Sequence, residues 1–163
     1  MSDIYVREAK PEDFEEIMRL SFAAASENAL SEPDIGLLKS EVLDGITRNG
    51  GVIGVIGGDA GSKLEGMIIL KISSMWYNME PIIQDNAIFV DPDFRSAKGG
   101  RARKLAEWAK LTSEKLGIPL AIGVLSNSRT EAKIRLFERV FGPPAGVYFL
   151  HNAKTGLSDV KEG

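Results

Sequence analysis

The chain has 163 residues and carries 20 basic and 23 acidic side chains, which gives a net charge of −3. This length is typical of one domain, and the mild acidity argues against a general attraction to nucleic acid or to an anionic membrane. The lack of cysteine and the single histidine, His151, exclude disulfides, a thiol nucleophile and a multi-histidine zinc site, so no metal is expected. No run of 18 apolar residues and no signal peptide are found, which predicts a cytoplasmic protein.

Hydrophobic periodicity and turn residues predict ten elements in the order β-α-α-β-β-β-α-β-α-β. Strands are predicted over residues 4–8, 51–57, 64–76, 85–91, 119–125 and 146–151, and the clearest helices over 99–116 and 128–141. Two further helices begin near Pro11 and Asp34. The order predicts a single α/β or α+β domain over residues 1–153, with a mixed, mostly antiparallel sheet flanked by helices. Residues 154–163 are expected to form a polar tail.

One segment of the chain is strongly basic, although the chain as a whole has a net negative charge. Residues 95–104 hold five basic side chains and no acidic one, after a strand that ends at Pro92 and at the start of the long helix. Free N–H groups at a helix start favour an anion, and Gly99 and Gly100 let a phosphate approach the backbone. The segment therefore predicts phosphate binding. The alternative is a solvated basic helix start with a glycine turn.

The motifs around this segment narrow the class of phosphate compound that could bind there. The P-loop pattern GxxxxGK[ST] and the dinucleotide pattern GxGxxG are both absent. The end of a strand is followed by a glycine-containing loop and then by a helix. The residues that form this motif are Val90, Pro92, Phe94, Arg95, Gly100 and Ala102. Downstream, Asn127 follows a strand, and Leu136 and Phe137 precede Gly142. This arrangement, over roughly residues 3–151, resembles the coenzyme A site of the GNAT N-acetyltransferases.

The resemblance implies an acyl-CoA N-acyltransferase fold with acetyl-CoA as cosubstrate. It also implies transfer of an acetyl group to a primary amine of a small molecule or peptide, by direct attack because no cysteine can carry the group. The cofactor-binding residues that it implies are Phe89, Val90, Arg95, Ser96, Lys98, Gly99, Gly100, Arg101, Ala102, Asn127 and Lys133. The loop departs from the family by being two residues longer after Arg95 and by having Ala97 at the family's Gln or Arg position.

The catalytic residues follow the family less closely. The tyrosine that often protonates the leaving thiolate is replaced by Phe137, which has no proton to give. Tyr148 is a candidate to replace this proton donor, and an ordered water is another. The alternative for Tyr148 is a half-buried strand tyrosine without a catalytic role. Asp85, at the start of the strand that would line the cleft, is the candidate general base. A solvated aspartate at a strand start is the alternative.

The sequence is also compatible with two competing functions. Phe137 and the weakly defined base favour an acyl-CoA-binding module without turnover. Nucleic-acid binding through residues 95–104 is disfavoured, because Phe94 and Trp108 are the only nearby aromatic side chains and no stacking series exists. We therefore expect neither a nucleic-acid nor a membrane partner. Family members often pair, which makes a homodimer an additional expectation.

Overall fold

The computed structural model describes residues 4–28, 30–95, 99–125 and 129–152. The elements in chain order are β1 (Arg7–Glu8), α1 (Phe14–Asn28), α2 (Ile35–Ile46), β2 (Gly51–Ile56), β3 (Gly66–Ser74), β4 (Pro81–Val90), α3 (Arg101–Leu116), β5 (Leu120–Ala121) and α4 (Thr130–Phe141). Short 3-10 turns at Pro11–Asp13 and Pro92–Phe94 precede α1 and follow β4. No helix in the described part of the chain is both long enough and apolar enough to cross a membrane.

The five strands form one sheet in the order β1-β2-β3-β4-β5. The first four pair antiparallel, and β4 pairs parallel to β5. The parallel pair follows from α3, which connects the two strands as a crossover helix. The predicted mixed, mostly antiparallel sheet flanked by helices is confirmed.

The sheet is buried on both faces. Along β3, alternate side chains point to opposite sides, so Met67 joins the cluster with α1 and α2 while Ile68 joins the cluster with α3. Helix α3 contributes Leu105 to the second cluster. A Cβ on Gly54 would come within 2.7 Å of the Trp108 ring, so glycine is required for α3 to lie against β2. The two helical layers therefore cover both faces of the sheet, whose central strand is β3.

A buried ion pair anchors the start of the chain to the sheet. The Asp13 carboxylate is fully buried and accepts hydrogen bonds from the Arg7 guanidinium at 2.7 and 2.9 Å. It also accepts bonds from the backbone N–H groups of Lys10 at 2.8 Å and Gly61 at 3.0 Å. Burial raises the pKa of Asp13, but these four donors outweigh that effect and hold its pKa at about 2.

Strand β4 contains a bulge. Ile69 pairs with Ala87 and Leu70 pairs with Asp85, so Asn86 is the extra residue on β4. A bulge bends the strand and changes the direction of neighbouring side chains. Here it lies directly beside Asp85, the candidate base.

Strands β4 and β5 separate beyond the bulge. The parallel pairing consists of Ile83 with Leu120 and Gln84 with Ala121. Residues 85–90 of β4 therefore leave an open edge on the side of β5, within the part of the chain that the structure describes. An open edge presents backbone N–H and C=O groups to whatever lies beside it.

The prediction of a strand over residues 146–151 is wrong. No strand forms there, and the side chains of Val147, Tyr148 and Phe149 are 74%, 72% and 92% exposed. The β-branched and aromatic residues fit strand propensity, but β5 is only two residues long and offers little edge to pair with. The other sequence-predicted strands are confirmed, with different ends, and β1 is shortened to Arg7–Glu8.

Candidate active site

A cavity of about 290 Å³, here called the basic cavity, lies between the end of β4, the start of α3 and α4. Among the described residues, its charged lining consists of Arg95, Arg101, Arg103, Arg129 and Lys133, with the carboxylate of Glu27. Its apolar wall includes Ile88, Leu136 and Phe137. The excess of cations makes the cavity attractive to an anion, and the apolar wall can take an uncharged chain attached to that anion.

The start of α3 supplies backbone donors to this cavity. Gly100, the N-cap, has φ 58°, and the first intrahelical bond runs from Lys104 N–H to Gly100 O at 3.0 Å. The N–H groups of residues 102 and 103 precede that bond and have no acceptor within the helix. A Cβ on Gly100 would meet nothing closer than 3.9 Å, whereas one on Gly99 would clash with Ile4. Gly100 thus leaves open space in front of the helix start.

The predicted phosphate-binding arginines are held by carboxylates. Arg95 donates to Val90 O at 2.9 Å and to Glu27 at 2.7 Å, and its guanidinium lies 4.9 Å from the Phe89 ring centroid. Arg101 is buried and paired with Glu65 at 2.7 Å. Both side chains are therefore fixed in place before any ligand binds.

Three of the sequence-predicted cofactor residues, Ser96, Lys98 and Asn127, lie outside the described residues. The others, apart from Gly99, line the basic cavity: Phe89, Val90, Arg95, Gly100, Arg101, Ala102 and Lys133. Gly99 adjoins it through Gly100.

The open edge of β4 directs some of its backbone N–H groups toward the basic cavity. Asp91 N–H donates to Glu65 O at 2.9 Å, toward β3. Because backbone direction alternates along an antiparallel strand, Phe89 N–H also faces β3, and the N–H groups of Ile88 and Val90 face the open edge. The bond from Arg95 to Val90 O confirms this direction for Val90. Of the two sequence-predicted cofactor residues on this strand, Val90 has the outward N–H and Phe89 does not.

A second cavity of about 850 Å³, here called the acidic cavity, lies between α1, α2, β4 and the segment after β5. Four carboxylates line it: Glu32, Asp34, Glu41 and Asp85. Glu41 is held by Lys71 Nζ at 3.0 Å and by Asn86 Nδ2, also at 3.0 Å. The bulge residue thus orients an acidic side chain of this cavity.

Both predicted catalytic residues line the acidic cavity. Asp85 Oδ1 accepts a hydrogen bond from Gly123 N–H at 3.0 Å. Burial raises the pKa of Asp85, and the bond from Gly123 opposes that rise only in part. Tyr148 lies against Gly123 and is largely exposed. A carboxyl with a raised pKa inside a cleft has the properties of a general base.

Comparison with known proteins gives structural matches alone: no protein-family model and no curated protein matches the sequence. A possible acetyltransferase from Clostridium difficile 630 superposes with a TM-score of 0.67 at 18% identity, covering 94% of this chain and 99% of that chain. AAC(6′)-Iy, in complex with the bisubstrate analogue CoA-S-monomethyl-acetylneamine, superposes with a TM-score of 0.69 at 14% identity, covering 94% and 100%. The ribosomal-protein-alanine N-acetyltransferase from Brucella melitensis biovar Abortus 2308 gives 0.65 at 18%, covering 91% and 98%.

This chain has the GNAT acetyltransferase fold. The predicted fold class is confirmed by superposition over nearly the whole chain. The low identities leave the chemistry to be argued from the residues themselves.

In this GNAT fold, the two cavities share one wall. The residues that line both are Ile88, Lys133 and Phe137. Burial lowers the pKa of the Lys133 ammonium, Glu27 opposes this, and Arg95 and Arg129 lower it further. The junction therefore has one ionisable side chain among the residues that the structure describes.

Several residues of the two cavities carried no signal in the sequence. Glu27 faces Arg95 from α1, and Glu41 meets Asn86 from α2. Each pair is separated by more than forty positions in the chain, so no local motif marks it. The turn at Asp34 was predicted only as a helix start, where its side chain does accept from Leu37 N–H at 2.9 Å. Among the described residues, no group of three or more potential ligands could hold a metal ion.

Proposed function

We propose that this chain is an acetyl-CoA-dependent N-acetyltransferase whose acceptor is a small, positively charged primary amine. One observation carries the proposal: a cavity lined with cations and a cavity lined with carboxylates meet at the open edge of β4. Such a pair of cavities can hold an anionic donor and a cationic acceptor end to end.

The basic cavity fits the phosphate end of coenzyme A. A pyrophosphate would accept hydrogen bonds from the backbone amides of residues 102 and 103 at the start of α3, with the nearby guanidinium groups adding charge. Gly100 leaves the open space that such an approach requires. The bisubstrate analogue bound to the similarly folded AAC(6′)-Iy contains coenzyme A, which supports the assignment.

The chemistry follows from the groups around the junction. The amine nitrogen attacks the thioester carbonyl carbon, and Asp85 takes its proton. The outward N–H groups of Ile88 and Val90 are available to stabilise the carbonyl oxygen as it becomes negative. The C–S bond then breaks, giving an amide and the coenzyme A thiolate. No cysteine exists to carry the acetyl group, so the transfer is direct.

The four carboxylates of the acidic cavity favour a positively charged acceptor. A cation would be drawn into this cavity, and an acceptor with two ammonium groups could place one near Glu41 and the other near Asp85. Similarly folded proteins include an aminoglycoside acetyltransferase from an uncultured soil metagenomic sample, which supports a small-molecule acceptor.

The alternative function is an acyl-CoA-binding module without turnover. Phe137 at the junction favours it, because this side chain cannot protonate the leaving thiolate. The two functions share the basic cavity and differ in whether the thioester is consumed.

The deciding experiment measures thiol release from acetyl-CoA with 1,4-diaminobutane, butylamine and glutamate as acceptors. We expect release with 1,4-diaminobutane at the highest kcat/KM, less with butylamine and least with glutamate. Coenzyme A binding without thiol release from any amine would support the binding module. A preference for glutamate would contradict the assignment of a cationic acceptor.

A further inference from the structure

We propose that Lys133 is the acid that protonates the coenzyme A thiolate as it leaves. This inference rests on the proposed function and adds a catalytic residue to it. The resemblance to other acetyltransferases implied cofactor binding for Lys133, and Tyr148 was the candidate proton donor because Phe137 replaces the usual tyrosine.

The position of Lys133 carries the inference. With the phosphates in the basic cavity and the amine in the acidic cavity, the thioester between them has to lie where the cavities meet. Three described residues line both cavities, and Ile88 and Phe137 have no ionisable group. Tyr148 lines the acidic cavity alone. Among the described side chains, Lys133 is therefore the proton donor at the junction where the sulfur would lie.

The surroundings of Lys133 leave its ammonium available. It forms no hydrogen bond or ion pair with the described residues, in contrast to Arg95 and Arg101. The charged groups that face it are Glu27 on α1, Arg95 after β4 and Arg129 before α4, and Asp85 of β4 lines the adjoining cavity.

The acidity of Lys133 suits the reaction. Burial and the two guanidinium groups lower its pKa from the ordinary lysine value toward that of a thiol, which is about 8.5 for a free cysteine. Proton transfer is most effective when the pKa of the acid lies close to that of the group it protonates and to the working pH. An unperturbed lysine would be a weaker acid for this step.

The protons and electrons balance. The acceptor ammonium first loses one proton to solvent through Asp85, which leaves a neutral amine. The neutral amine then forms a C–N bond with the carbonyl carbon and gives a second proton to Asp85. The C–S electron pair stays on sulfur as the bond breaks, and Lys133 Nζ gives that sulfur one proton. Asp85 then carries a proton and Lys133 lacks one, so a proton passed between them through solvent restores both groups.

The test compares Lys133→Met and Lys133→Arg with the wild type in kcat, in the dissociation constant for coenzyme A, and in the pH dependence of kcat. We expect Lys133→Met to lower kcat by about 10- to 100-fold, with coenzyme A affinity changed by less than about threefold. Lys133→Arg keeps the charge but does not release a proton near neutral pH, so it should not restore kcat. The wild-type kcat should fall as pH rises through the lowered pKa of Lys133, and both variants should lose that fall. Lys115→Met, on the exposed end of α3, is the control for loss of a lysine.

The outcomes separate the two proposals. A wild type that binds coenzyme A and acetylates no amine refutes the proposed function and, with it, this role for Lys133. An active wild type with unchanged kcat in Lys133→Met refutes the role of Lys133 alone. Weaker coenzyme A binding at unchanged kcat would assign Lys133 to the phosphates, and restored kcat in Lys133→Arg would show that charge suffices. Either result overturns the inference.

Discussion

The basic and acidic cavities share one wall but are built from different kinds of sequence. Most of the basic cavity comes from one continuous stretch, residues 88–103, with α4 closing its other side. The acidic cavity collects side chains from α1, α2, β4 and the segment after β5, which are distant in the chain. The first is defined by a local turn and a helix start, and the second by tertiary packing. If the two cavities act as separate donor and acceptor sites, a substitution in one should leave binding in the other unchanged.

The largest expected effect is at Asp85. Asp85→Asn keeps the shape and an acceptor for Gly123 N–H but removes the base, so kcat should fall by about 100- to 1,000-fold. In the wild type, kcat should fall as pH decreases through the raised pKa of Asp85, because only the ionised form accepts a proton. The pH profile of kcat measures both effects. Coenzyme A affinity should stay unchanged, and a loss of that affinity would show that the two cavities are not separate.

The next effect concerns the helix start of the basic cavity. Gly100→Asp places a carboxylate in the open space in front of α3 and should weaken coenzyme A binding by about 100-fold or more, through repulsion of the pyrophosphate. Gly100→Asn is the matched control, because asparagine has the same shape and tolerates the positive φ but has no charge. Calorimetric titration with coenzyme A measures both. Equal affinities for the two variants would contradict phosphate binding here.

A smaller effect is expected in the acidic cavity. Glu41→Gln removes one of its carboxylates and should raise KM for 1,4-diaminobutane by about fivefold, which corresponds to roughly 1 kcal/mol for a partly exposed ion pair. KM for butylamine should change less, since it has a single ammonium group. Steady-state kinetics with the two amines gives the comparison, and Glu114→Gln on α3 is the control. An equal change for both amines would mean that Glu41 does not bind the second ammonium.

The smallest effect on catalysis should come from the buried ion pair outside both cavities. Asp13→Asn should leave KM values unchanged but reduce the free energy of unfolding at pH 7 by roughly 2 kcal/mol, since the pKa of Asp13 is held at about 2 in the folded state. A depressed carboxyl pKa stabilises the fold above the ordinary value of 3.8. That contribution should be lost as pH falls from about 4 toward 2.

Urea unfolding at several pH values measures this difference, with Glu12→Gln on the same turn as the exposed control. A stability difference between Asp13→Asn and the wild type that persisted unchanged at pH 2 would contradict the assignment. A changed KM would mean that this anchor also positions one of the cavities.

The difference between a cavity built from one local segment and a cavity built by tertiary packing explains how much of the site could be predicted from the sequence. The glycines and basic residues around Gly100 indicated a phosphate site because the helix start and its loop are adjacent in the chain. The fold followed from the order of periodic segments. The pairing of Glu27 with Arg95 and of Glu41 with Asn86 was not predictable, because it depends on α1 and α2 packing beside β4. The strand at 146–151 was predicted wrongly because propensity does not report whether a neighbouring edge is long enough to pair with.

The opposite charges of the two cavities also bear on how the reaction would end. On the proposed function, acetylation converts an ammonium group into a neutral amide, so the nitrogen that was drawn toward the carboxylates loses its charge. The acidic cavity then holds the product less strongly than the substrate. Product release would be driven by the chemical step itself, and acetylated amines should be poor inhibitors of their own formation.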